Sequence, residues 1–118
     1  MSQDNTTYTL HQCEMGVLEF LLEEPGYLKE IVDIIDPYDF SEPERAVMFK
    51  AIIALDQQGS MINEASLLNH LAEVSSLPLY DWEWHIKDMT DNNAYLCSET
   101  IFGAANAVRS YSLERQWQ

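Results

Sequence analysis

The chain has 118 residues, enough for one small domain around a single core. Its 47% hydrophobic content excludes a disordered chain, and no apolar run approaches the ~20 residues of a membrane span. Six Lys and Arg face 20 Asp and Glu, and the resulting charge of −14 argues against direct nucleic-acid binding, which requires clustered positive charge.

The acids do not form a tail. Eleven lie in residues 1–50 and nine in residues 51–118, interleaved with apolar residues, as expected of charge on folded helix faces. Such a surface keeps a domain soluble. It also permits a basic protein partner or an imitation of nucleic acid. Met1 to Thr9 is polar and does not read as a secretory signal. Cys13 and Cys97 match no zinc spacing. A cytoplasmic location with two reduced thiols is the expectation.

Residues 1–8 read as a loose arm, and residues 9–118 as a single helical domain. Thr9 and Gln12 form a T-x-x-Q capping box. Leu10, Cys13, Val17, Leu18 and Leu21 follow at helical spacing, and Pro25-Gly26 ends that helix. A short helix from about Tyr27 to Ile35 is expected to bury Leu28, Ile31, Val32 and Ile35. Tyr38 and Phe40 then read as aromatics packing down from a loop.

The stretch from Phe40 to Leu71 reads as helix, Gly turn, helix. Ser41 and Glu44 have the spacing of an S-x-x-E capping box, and Pro43 suits the first turn. Val47, Met48, Ala51, Ile52 and Leu55 form one apolar stripe. Gly59 suits the turn, Asn63 the next N-cap, and Leu67, Leu68 and Leu71 the second stripe.

After a Ser- and Pro-containing connector, Trp82, Ile86 and Met89 share a helical face, and Thr90 to Asn93 is a polar break. The last helix signal runs from about Ala94 to Arg115, with Cys97, Ile101, Ala104, Ala105, Val108 and Ser112 in its stripe. Such small side chains admit a close neighbour, from the same chain or from a second copy. There is no strand alternation of useful length and no internal repeat. The expected fold is all-α: a compact bundle of about four helices (residues 9–73), then a helical hairpin (residues 80–118).

The order and spacing of these features resemble the N-terminal domain of DnaB-type replicative DNA helicases. The matching residues are Glu14 with Val17-Leu18 and Leu21-Leu22; Phe40; Met48-Phe49 with Leu55; Gly59, Ile62-Asn63 and Leu67-Leu68 with Leu71; and Val108-Arg109. The likeness spans about Gln12 to Gln116. The chain departs from the pattern at Arg45, where the family usually has His, and from Leu77 to Trp84, where it usually has Gly-Gly leading into Tyr-Leu. The resemblance implies a non-catalytic collar domain of the helicase ring that pairs through its hairpin and is contacted by primase and accessory proteins. It makes Ile101, Ala104, Ala105 and Val108 candidates for self-association into a dimer or higher oligomer.

Catalytic and cofactor signatures are missing from the sequence. It contains no G-x-x-x-x-G-K-[ST], so no P-loop cradles ATP phosphates; G-x-S-x-G and H-E-x-x-H are likewise missing. No enzyme activity and no cofactor are expected. Asp81, His85 and Asp88 share a helical face but read better as a wet surface than as metal ligands. Tyr80, Trp82 and Trp84 are the candidate partner surface, with the alternative that Trp82 is core and Trp84 partly covered. Two functions fit: the replication interaction module that the resemblance implies, or a stand-alone acidic regulator, such as one from a phage or other mobile element, that binds or inhibits host replicative helicase or primase.

Overall fold

The computed structural model describes residues 9–91, 96 and 98–116. Among these residues the chain is all-helical, with α-helices α1 (Leu10–Glu23), α2 (Leu28–Val32), α3 (Pro43–Gln57), α4 (Glu64–Val74), α5 (Leu79–Thr90) and α6 (Ile101–Gln116). The expected arm at residues 1–8, Asn92, Asn93, Ala94 and Cys97 lie outside the described residues.

The helix ends follow from local chemistry. Thr9 caps α1: its hydroxyl accepts from the Gln12 amide at 3.1 Å, and the Gln12 side chain accepts from the Thr9 amide at 3.0 Å. Asn63 caps α4 in the same reciprocal way with Ser66. Gly59 ends α3 with φ 72°; its amide donates to Asp56, and the next amide, of Ser60, donates to Leu55. This pair of bonds satisfies carbonyls that the last turn would leave open.

Three sequence expectations give way to longer-range packing. Ser41 does not cap α3. Glu42 occupies the N-cap position without a side-chain bond, and Ser41 is engaged by Glu14 instead. The second helix is shorter than the periodicity suggests: α2 ends at Val32, which is exposed, while Ile35 turns inward beyond it. Tyr38 is 82% exposed, and Asp39 is buried in its place. A one-turn 3-10 segment at Pro37–Asp39, capped by Asp36, reverses the expected in-out order. Phe40 does pack inward, with its ring centroid 5.2 Å from that of Phe49.

Helices α5 and α6 pack on the rest of the domain in different ways. Among the described residues these helices make little contact with each other. Instead α6 lies along α1, and α5 packs on both α1 and α4. Helix α1 is therefore the axis of the domain and is buried on most of its circumference, from Cys13 to Leu18 and at Phe20 and Leu21. Ile101, Ala104, Ala105 and Val108 of α6 are all buried in this shared core. Their small size lets α6 approach closely.

Two glycine substitutions are expected to have opposite signs, read from urea midpoints. Gly59→Ala lowers stability by about 1 kcal/mol, because an L-residue resists positive φ even where its Cβ meets nothing within 4 Å. Gly103→Ala, on the exposed side of α6 with nothing within 4 Å of the new methyl, raises stability by ~0.5 kcal/mol.

Candidate functional site

Among the described residues two carboxylates are buried, and each binds one part of the chain to another. Glu14, on α1, is fully buried. Its Oε2 accepts from the Ser41 amide at 2.8 Å, and its Oε1 accepts from the Ser41 hydroxyl at 3.0 Å and from Arg45 Nη1 at 2.5 Å. The carboxylate thus lies just before the start of α3, where the helix dipole favours negative charge. Arg45 also meets His11 Nδ1. Arginine only donates, so Nδ1 is the acceptor and the neutral ring carries its proton on Nε2.

Asp39 is the second anchor. Its Oδ2 accepts from the Asp36 amide at 2.7 Å, and its Oδ1 accepts from the Ser112 hydroxyl at 2.6 Å. Arg115 donates to the Asp39 carbonyl at 2.8 Å. Arg109 approaches the carboxylate only to 3.4 Å and is 46% exposed. At that distance and exposure it adds charge balance rather than a strong bond. The geometry makes Ser112 the principal tie between α6 and the α2–α3 connection.

All three arginines of the sequence are therefore committed to internal partners. Lys50 lies with its Nζ 5.6 Å from the centre of the Tyr38 ring. The outer surface is left strongly acidic. Its acids are crowded at one place: Glu19 has its pKa raised by burial first, and then by the negative charges of Glu23, Glu64 and Asp91. The Cys13 thiol is pushed up by burial and by neighbouring Glu14, so Cys13 is a packing residue, as its place in the stripe suggests.

The structure divides the expected aromatic surface. Trp82 is 1% exposed and belongs to the core with Ile86 and Met89, so it is not part of a surface. Tyr80 and Trp84 are 69% and 62% exposed. They stand one turn apart on the outward ridge of α5. The Ile101, Ala104, Ala105 and Val108 stripe is used within the chain, and the exposed apolar residues of α6 are Tyr111 and Leu113. His85 packs its ring against Trp82 and Trp84, with centroids 5.4 and 5.2 Å apart. Among the described residues no group of three His, Cys, Asp or Glu is arranged to hold a metal ion.

Two grooves flank α5. One, of ≈ 330 Å³, runs between α4 and α5 over Ala65, Leu68 and Ile86, with Glu64, Glu83 and Lys87 at its rim. The other, of ≈ 250 Å³, opens beside His11, Arg45, Trp84 and His85. Both are open surface depressions, and neither presents a nucleophile paired with a base. Among the described residues no helix is long and apolar enough to cross a membrane.

An all-helical domain in which the carboxylates buried among the described residues serve as internal ties has the character of a scaffold. The chain belongs to the family of DnaB-like helicase N-terminal domains, whose model matches residues 7–108. The same fold is found in the crystal structure of the N-terminal domain of DnaB helicase from Mycobacterium tuberculosis. The TM-score is 0.74 at 17% identity, over 91% of this chain and 76% of that one. No curated protein sequence matches the chain. The family's domain is separate from the helicase motor, in keeping with the missing P-loop.

Removing either buried acid strands its partners. Glu14→Ala, which leaves Arg45 nearly buried and unpaired, is expected to destabilise the domain by ~3 kcal/mol in urea unfolding. Arg109→Ala, with an exposed guanidinium, costs under ~1 kcal/mol. Glu19 behaves in the opposite sense. Its pKa is raised in the folded state, so its charge opposes folding above that pKa, and the opposition fades as pH falls through it. Glu19→Gln is expected to raise the urea midpoint at pH 7. The gain should disappear below the ordinary glutamate pKa of ~4.3, where both states are protonated.

Proposed function

We propose that the chain is a non-catalytic protein-interaction and oligomerisation module of DNA replication, cytoplasmic, engaging replicative helicase or primase. Family membership carries this reading. The helical fold of the described residues and the internal use of both carboxylates buried among them support it. Self-association through α6 falls to its outward residues, Tyr111 and Leu113. Ile101, Ala104, Ala105 and Val108 are already covered within the chain.

A second reading, a stand-alone acidic regulator that binds or blocks a host's helicase or primase, draws on one specific observation. The chain carries a net charge of −14, and each of its arginines has an intramolecular partner, so its surface is strongly acidic. That surface suits a basic protein partner and repels nucleic acid.

Light scattering on the pure protein, alone and then mixed with a replicative helicase and its primase, separates the two. The module reading expects a discrete oligomer that binds primase. A monomer that captures intact helicase favours the regulator. A monomer that binds neither protein overturns both.

A further inference from the structure

We propose that the α4–α5 groove, together with the outward ridge of α5, is a docking surface for a basic amphipathic helix of a protein partner. The inference rests on the interaction-module reading and gives it a place and a chemistry. The groove has an apolar floor of Ala65, Leu68 and Ile86. On the outward ridge of α5, between this groove and the one that Trp84 lines, Tyr80 and Trp84 project at i and i+4 with most of their surface uncovered. An apolar floor next to two open aromatic rings is an arrangement that a protein partner buries.

Charge selects the occupant. Glu64 and Glu83 stand at the rim. The Glu64 charge also acts on Glu19, as do those of Glu23 and Asp91. The cation at this rim is Lys87, which has Glu83 four residues before it and Asp91 four residues after it on the same face of α5 and beyond. The local balance is negative, so a partner must bring lysine or arginine. Those side chains would also find the faces of Tyr80 and Trp84 as cation–π partners. A second copy of this chain does not fit. It carries the same −14, which repels a like-charged surface. A nucleic acid is repelled by the same charges.

The occupant is specified as helical because the floor is a furrow between two helices, which receives one apolar stripe while leaving the polar face of the guest at the acidic rim. The guest's aliphatic side chains would lie on Leu68 and Ile86. Its cations would lie across Glu64 and Glu83 on one side and the aromatic ridge on the other.

The probe is a capped synthetic peptide of about 14 residues, roughly four helical turns, with leucine at i, i+3, i+4 and i+7 and lysine or arginine elsewhere. A scrambled peptide of identical composition is the control. Binding is read by tryptophan fluorescence and by amide shifts of the whole protein. The expected result is shift changes confined to α4 and α5. Affinity should fall about tenfold in Trp84→Ala and in the pair Glu64→Gln/Glu83→Gln, and also with the scrambled peptide. The pair Glu30→Gln/Asp33→Asn, which removes the same charge from the exposed side of α2, should bind as the parent does. Shifts spread over the surface, equal binding of the scrambled peptide, or equal weakening by the α2 pair would overturn the proposal. Primase and helicase are then tested against the same variants. If they bind the chain and ignore the α4–α5 substitutions, the docking surface is wrong and the module reading stands. If the peptide docks as described and neither protein binds, the surface stands and the module reading fails.

Discussion

A carboxylate taken out of water must find donors for its oxygens, and it fixes the position of whatever supplies them. Glu14 imposes this constraint on the domain. It sits in the middle of α1, fully buried, and its donors all come from the start of α3. The pair with Arg45 has small net value, because desolvating both charges offsets most of their attraction. What it does is fix geometry: α3 begins where Ser41 and Arg45 can reach the acid. With α3 set, Gly59 turns the chain, α4 returns along α3, and α5 closes over α4 and α1. Asp39 repeats the device for α6 through Ser112.

These ties also determine the surface. A chain with six cations and 20 acids has few positive groups to spare, and the two anchors take every arginine. The acids that remain outward are unbalanced, and around Glu19 they are dense enough to raise its pKa. Internal architecture and external charge are linked at Arg45, whose charge is withdrawn from the surface to meet Glu14. The family's place in replication gives this surface a context, and the exposed Tyr80 and Trp84 give it a focus.

Features set by neighbouring residues were legible in the sequence. The Thr9–Gln12 box, the Asn63 cap, the Gly59 stop and the Trp82, Ile86 and Met89 face each depend on residues within about a turn or two, and each forms as its spacing predicts. What escaped depends on distant partners. Ser41 has the spacing of a cap, yet its competitor is an acid 27 residues earlier in the chain. Asp39 belongs inside because Ser112 and Arg115 of α6 are there to meet it, which no local pattern around Tyr38 reveals. One signal was available: Glu14 lies in phase with Leu10, Val17, Leu18 and Leu21, and an acid in the middle of an apolar stripe points to a buried partner. For the candidate surface, periodicity placed Trp82 on the inner face with Ile86, and the same helical geometry turns Tyr80 and Trp84 out.

The role of Glu14 can be read at a single amide. Ser41 is an exposed residue just before α3, and its N–H is directed at the Glu14 carboxylate at 2.8 Å. Native-state hydrogen exchange at that amide measures whether the tie holds. The account predicts that Ser41 exchanges as slowly as buried amides of α1 such as that of Leu18, through the same large opening of the domain. Exchange at the rate of a free loop amide, with α1 still protected, would contradict it.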